Sequence, residues 1–179
     1  NYGIQVYGGH GYIREWGMEQ LVRDTRIAQL YEGTNGIQAA DLIGRKLTRS
    51  NGAMMHTTHA EFSKMVAAIT DESYRQQAEV LLADWLTTSN ELLGSSAEYC
   101  AAVACDYLNY VSYTLLGILW LSMLDKLPNT ANQDYAKGKK KTGEFYLAYL
   151  LPRAQQHKAA MAAANSAINV CDVDDFVFA

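Results

Sequence analysis

The chain has 179 residues, 49% of them hydrophobic, with two prolines and a formal net charge of -4. That is enough apolar material for one domain with a proper core. The acidic balance carries none of the basic footprint of a nucleic-acid-binding protein.

Gly8, Gly9 and Gly11 open the chain as a glycine-rich turn with His10 inside it. Glycine tolerates positive φ and lets a ligand approach the backbone. Two roles stand open here: a plain reversal of the chain, or a cradle of N–H groups for a phosphate. No strand pattern precedes the turn, so it is not a Rossmann phosphate loop. A helix is predicted from Gly17 to Leu30. Met18, Leu21, Val22, Thr25 and Ala28 form its apolar face, and Glu19 and Arg23 stand four apart in the acid-first order. Gly33 is expected to stop it, which leaves Glu32 at the last turn or just beyond. A carboxylate is disfavoured at the negative end of a helix dipole. Glu32 is therefore either an ordinary solvated residue or one held there for chemistry.

Asn35 to Leu47 reads as the next helix, with Ile37, Ala40, Leu42, Ile43 and Leu47 as its stripe. Arg45, Lys46 and Arg49 crowd its end, as capping cations or as an anion site. Further helices are expected from Ala53 to Ile69, then from an Asp71 or Thr70 cap to about Leu93. Gly94-Ser95-Ser96 breaks the chain before a long helix reaching Leu127. A loop at Pro128-Asn129 precedes a last helix from Gln133 to Val170, kinked at Pro152. Four amphipathic helices with short connections make an antiparallel bundle, beside which the first two helices would pack. The fold class is all-α, divided into residues 1–50 and 51–179.

Several smaller features have a plain reading and a functional one. The apolar run Val111–Leu124 is too short for a bilayer core of roughly 30 Å and is read as a buried helix, so no transmembrane segment is expected. Tyr99, Tyr107, Tyr110, Tyr113 and Trp120 are read as core with hydroxyls at the rim. His56 and His59 lack a second ligand pair, so no metal site is expected. Lys137, Lys139, Lys140 and Lys141 form a solvated basic run. Cys100, Cys105 and Cys171 fit no metal-binding pattern and are read as reduced thiols of a cytoplasmic protein. No signal peptide is visible. Asp172 to Asp175, with Phe176 and Phe178, form an acidic and aromatic segment that could dock on a neighbouring subunit or simply fray.

One combination is more specific than its parts. Gln5-Val6-Tyr7-Gly8-Gly9-His10-Gly11-Tyr12, Glu19, Arg23-Asp24, Ile27, Tyr31-Glu32-Gly33-Thr34-Asn35, Ile37-Gln38 and Gly44-Arg45 together resemble the C-terminal helical domain of the acyl-CoA dehydrogenases. Phe145-Tyr146 and Leu150-Leu151-Pro152-Arg153-Ala154 resemble a helical extension carried by a large-subunit branch. Arg14-Glu15-Trp16-Gly17-Met18-Glu19 points to the 3-(methylthio)propanoyl-CoA dehydrogenase-like branch.

The resemblance implies that Glu32 removes the α-proton of an acyl-CoA while a hydride leaves the β-carbon, giving the trans-2-enoyl-CoA as in fatty-acid β-oxidation. It implies FAD as cofactor. Gln5, Val6, Tyr7, Gly8 and Gly9 would lie near its diphosphate across a subunit interface, and Thr34 would touch the same flavin. At Gly36 many relatives carry a polar side chain, and here only backbone is on offer. Tyr31, Gly33 and Arg45 would face substrate. It further implies a homodimer or larger oligomer and an electron-transfer flavoprotein as electron acceptor. The chain opens at Asn1 inside the motif, so it is expected to be a fragment of a larger polypeptide and inactive alone. An acyl-CoA oxidase and a non-catalytic helical interaction module are the competing readings.

Overall fold

The computed structural model describes residues 1–129 and 131–167. The predicted end of the last helix at Val170, Cys171 and the Asp172–Phe178 segment lie outside the described residues. The chain forms two compact units, Asn1–Gln38 and Ala39–Ala179. No strand occurs among the described residues, and the all-α reading holds.

The first unit is built from short pieces. Helix α1 (Tyr2–Tyr7) runs into a 3-10 turn at Gly8–Tyr12, and a second 3-10 turn follows at Arg14–Trp16. Gly17, at φ 70°, then starts α2 (Met18–Arg26), which ends in a 3-10 turn at Ile27–Gln29. The expected Glu19–Arg23 pair does not form; Gln20 donates to Asp24 on the same helix at 2.6 Å. Gly33 does not stop the helix, because the chain has already left it by Leu30. Tyr2, Val6, Tyr12, Trp16, Leu21, Ile27, Tyr31 and Ile37 are exposed, and Gly11 is buried. This unit has no core of its own.

The second unit has one. The predicted Asn35–Leu47 helix is two structures: α3 (Asn35–Ala40), which spans the division between the units, and a π-helix over Asp41–Arg49. Ala39, Ile43 and Leu47 are buried, whereas Ile37 and Ala40 are exposed. Leu42, Ile43 and Leu47 of the expected stripe thus face the core, and Ile37 and Ala40 do not. The wider turn is supported by the Thr48 hydroxyl, which donates to the Ile43 carbonyl at 2.6 Å. Such π turns are uncommon and leave little trace in apolar spacing.

Helix α4 (Ala53–Ala67) leads to α5 (Glu72–Leu93). The Asp71 carboxylate caps α5 by accepting from the Tyr74 N–H at 3.0 Å. Ser96 caps α6 (Ala97–Ala102) in the same way, through Tyr99 N–H at 3.1 Å. The long helix expected after Gly94-Ser95-Ser96 is broken at Val103, and α7 runs from Ala104 to Lys126. Leu127–Asn129 forms a 3-10 turn, and α8 covers Gln133–Phe145. A π turn at Tyr146–Leu150 precedes Pro152, and α9 covers Arg153–Ala167. The helix is interrupted at Leu151–Pro152 after a π turn, closed by Leu151 N–H donating to the Tyr146 carbonyl at 2.8 Å. A proline cannot supply the next helical donor, so the ladder is already reset when it arrives.

Helix α7 packs against α5 and α9, and α4 packs on α5. Tyr107, Tyr110, Ile118 and Leu121 of α7 are fully buried, as the aromatic stripe predicted. The Tyr107 and Tyr110 hydroxyls, expected at the rim, are instead satisfied inside the bundle. Tyr110 donates to Asp84 at 2.9 Å, and Tyr107 and Ser89 share a bond of 2.8 Å. The Tyr99 hydroxyl donates to the Met161 carbonyl at 2.8 Å, joining α6 to α9. The stretch Ala104–Asn129 is long and apolar enough to cross a membrane by length and composition, and half of its apolar window is covered by the bundle.

Candidate active site

The turn after α2 carries the strongest local anomaly of the chain. Leu30 and Tyr31 donate to the Ile27 carbonyl at 2.9 and 3.1 Å, which ends the helical run. Glu32 then takes φ 54° and Gly33 φ 108°, two left-handed residues in succession. For a glutamate this conformation costs about 1–2 kcal/mol relative to the right-handed one. Gln38 holds it. Its side-chain amide donates to the Glu32 carbonyl at 2.9 Å, and its N–H donates to the Thr34 carbonyl at 3.0 Å. Gly33 is needed twice over: its φ suits glycine, and a Cβ there would stand 3.0 Å from Ile37 Cγ2. The Glu32 carboxylate is exposed and engages no hydrogen bond or ion pair among the described residues. Tyr31, Thr34 and Gly36 are exposed beside it.

Gln5, Val6, Tyr7, Gly8 and Gly9 occupy the end of α1 and the 3-10 turn after it. Val6 is 84% exposed, although it follows an apolar pattern. The three glycines of this turn differ in role. Gly8, at φ 59°, and Gly9 face open space, with nothing within 4 Å of where a Cβ would stand. A Cβ on Gly11 would lie 2.7 Å from the Ile4 carbonyl oxygen and 2.8 Å from its Cα. Gly11 is thus a packing glycine, and the backbone at Gly8 and Gly9 is uncrowded.

Arg45 belongs to the second unit. Its guanidinium meets the Asp41 carboxylate at 2.5 Å, and Lys46 reaches the same carboxylate at 3.2 Å. These cations pair with a side chain rather than cap the helix end. The Arg45 hydrogen bond is the main reason that the Asp41 carboxyl is held down to about 2, and Asp41 raises Arg45 in turn.

His59 and Lys139, expected to be solvated, are each half-buried against a tryptophan. The His59 ring lies 6.0 Å from Trp85, and burial, then the nearby His56, push its pKa down. Among the described residues no group of metal-binding side chains forms. Lys139 stacks over Trp120 at 4.5 Å, and Lys140 reaches Glu144 at 3.9 Å. What the sequence did not reveal is the Glu32–Gln38 clamp. The one available signal was a glutamine six residues past the glutamate, and the bond needs two positive φ values that no spacing encodes.

Comparison with known proteins gives two family matches and several relatives. Residues 53–171 match the model "Acetyl-CoA dehydrogenase C-terminal like", and residues 2–48 match "Acyl-CoA dehydrogenase, C-terminal domain". A 3-methylmercaptopropionyl-CoA dehydrogenase from Ruegeria pomeroyi is 47% identical over 70 residues, 39% of this chain and 11% of that protein. A butyryl-CoA dehydrogenase from Syntrophomonas wolfei is 29% identical over 164 residues, covering 83% of this chain and 27% of its own. A subunit of the caffeyl-CoA reductase-Etf complex of Acetobacterium woodii is 39% identical over 46 residues, 26% of this chain and 13% of that one. The chain thus spans between about a tenth and a quarter of the length of these relatives.

Proposed function

Because this chain belongs to the acyl-CoA dehydrogenase family, we propose that it supplies the C-terminal part of a flavin-dependent acyl-CoA dehydrogenase in which Glu32 is the base. The observation that carries this reading is the Glu32–Gly33 turn. A glutamate held at φ 54° by a side-chain clamp, with its carboxylate left free, is a strained residue serving no structural purpose of its own. In this reading residues 1–50 belong to the catalytic helical domain and 51–179 to its helical extension.

The residues of the chain then take definite parts. A Glu32 carboxylate oxygen accepts the α-proton of the acyl thioester, and the electron pair of that C–H bond becomes the new carbon–carbon double bond. A flavin held here would supply the acceptor for the hydride leaving the β-carbon. The Glu32 N–H donates to the thioester carbonyl and stabilises the charge that builds there. Gln38, through the Glu32 carbonyl, holds the carboxylate in register with the α-carbon. Gly8 and Gly9 fit the flavin diphosphate, since their open backbone lets phosphate oxygens approach. Thr34 offers a hydroxyl to the same group, and Gly36 only backbone. Tyr31 and Gly33 form the wall toward the acyl chain. The Arg45 guanidinium, which the resemblance assigns to substrate, is engaged by Asp41.

The names of the relatives, which specify 3-methylmercaptopropionyl-CoA and butyryl-CoA, support a short acyl-CoA as substrate. The Etf complex in a third name supports an electron-transfer flavoprotein as electron acceptor. A first unit whose apolar side chains stand in the open supports cover by the rest of the polypeptide or by a second subunit of an oligomer. The test is Glu32→Gln in the full-length protein, with bound flavin confirmed by its absorbance. Loss of anaerobic flavin bleaching by short acyl-CoA thioesters, and of α-proton exchange, is expected. Unchanged exchange and bleaching would overturn the assignment of Glu32.

A further inference from the structure

The core of the second unit is not filled everywhere. A cavity of about 140 Å³ lies where the π-helix Asp41–Arg49, α4, α5 and α7 meet. Leu47, Met55, Trp85, Tyr107 and Val111 form its buried wall. Met54 and Thr58 are exposed members of the lining, so one side opens toward solvent. Protein interiors are close-packed, and a gap of this size is uncommon in them. An apolar cavity of about 150 Å³ stays dry and takes up benzene. One ring is therefore the size of ligand that this space accepts.

Charge and polarity narrow the class further. Among the described residues that line the cavity only Lys46 is charged, and its ammonium is already met by Asp41 at 3.2 Å. The Thr58 hydroxyl is used as well, donating to the Met54 carbonyl at 3.0 Å. Two polar groups remain, on Trp85 and Tyr107, which are 3% and 2% exposed. The Trp85 indole N–H is buried and has no hydrogen-bond partner among the described residues. Burial pushes the Tyr107 hydroxyl pKa up, and Ser89 and Trp85 partly offset that rise. Trp85 thus stands beside this hydroxyl, in a geometry that closes no bond. The direction of the Tyr107 proton follows from its other neighbour. Ser89 has a single hydroxyl proton and donates it to the Trp85 carbonyl at 2.7 Å. In the 2.8 Å contact between Ser89 and Tyr107, Tyr107 is then the donor, and its own oxygen is left to accept. The wall of the cavity holds an unused donor beside an unused acceptor, and a buried polar group left unmet costs free energy.

We propose that this cavity is a binding site for a small uncharged molecule of one-ring size with a single hydroxyl, the class of the simple phenols. The ring fills the space among Leu47, Met55 and Val111. The ligand oxygen accepts from the Trp85 N–H, and the ligand O–H donates to the Tyr107 oxygen. The site lies in the helical bundle and does not rest on the catalytic reading of Glu32.

The test is fluorine NMR of the full-length protein carrying 5-fluorotryptophan, titrated with phenol and with toluene. Phenol is expected to displace one resonance saturably, the one that is lost in Trp85→Phe. Toluene has the same ring with a methyl group in place of the hydroxyl, and should bind about tenfold more weakly. Tyr107→Phe keeps the shape and removes the acceptor, and should weaken phenol by about fivefold with toluene little affected. Val111→Phe fills the space and should abolish binding of both. Where that variant does not fold, Tyr107→Phe alone decides. No saturable displacement of the Trp85 resonance by phenol overturns the proposal, since the gap then holds water only. Toluene binding as tightly as phenol overturns it too, as does phenol binding that ignores Tyr107→Phe.

Discussion

The Asp125 carboxylate, near the end of α7, accepts the backbone N–H of Asp71 at 2.8 Å across fifty-four residues of sequence. The same oxygen accepts from the Thr70 N–H at 3.0 Å and the Thr70 hydroxyl at 2.7 Å. The start of α5 therefore has two caps, one local from Asp71 and one brought from α7. A helix start leaves several N–H groups without intrahelical partners, and one side chain cannot serve them all. We predict that Asp125→Ala costs about 1 kcal/mol and Asp71→Ala a similar amount, while Asp125→Asn keeps part of the contribution. Urea unfolding of the three variants measures this. Equal stability of Asp125→Ala and the parent chain would show that the cap contributes nothing.

Asp84 joins three helices, accepting from Tyr110 of α7 at 2.9 Å and pairing with Lys158 of α9. Burial opposes its ionisation, but the Lys158 ammonium and the Tyr110 hydroxyl outweigh burial and hold its pKa below the usual value. A depressed folded pKa stabilises the fold above the unfolded value of about 3.9 and loses that contribution as the pH falls through the folded one. We predict that Asp84→Asn flattens the acid side of the stability profile below about pH 4. Lys158→Met should cost about 1–3 kcal/mol at neutral pH, because it strands a half-buried carboxylate. Parallel acid limbs in the parent and Asp84→Asn would contradict the first expectation.

Two glycines on α8 respond oppositely to the same change. A Cβ at Gly138 meets nothing within 4 Å, and one at Gly143 stands 2.9 Å from both the Trp120 ring and Leu124. We expect Gly138→Ala to stabilise by about 0.5–1 kcal/mol through helix propensity. Gly143→Ala should destabilise by about 1–3 kcal/mol through overpacking. Thermal midpoints moving in the same direction would refute the packing assigned to Gly143.

Gln38 acts on Glu32 only through the backbone. Gln38→Leu keeps the bulk but removes the donor to the Glu32 carbonyl. In the full-length protein we expect kcat to fall by about tenfold to a hundredfold with KM little changed, because a loosened turn misplaces the base. Glu32→Gln should lower kcat by roughly a hundredfold to ten-thousandfold, as removal of a general base does. If Gln38→Leu raised KM alone, the clamp would belong to binding rather than to the placing of Glu32.

Much of the second unit was legible because its signals are local. The caps at Asp71 and Ser96 each depend on one side chain and the N–H three residues on, which a sequence displays directly. Tyr107 and Tyr110 announced their burial by recurring with the helical period inside an apolar run. The family motif likewise survives as spelling, whatever its surroundings. The rest depended on partners distant in the chain. The two π turns leave little mark in apolar spacing, and Ile37 and Ala40, which that spacing reads as core, are exposed. The first unit has an apolar pattern but no core, and Tyr2, Val6, Trp16 and Ile27 stand exposed. Glu32 was visible as a letter. Its left-handed backbone and the Gln38 clamp arise only once the chain has turned on itself, since a bond across six residues exists in space and not in spacing.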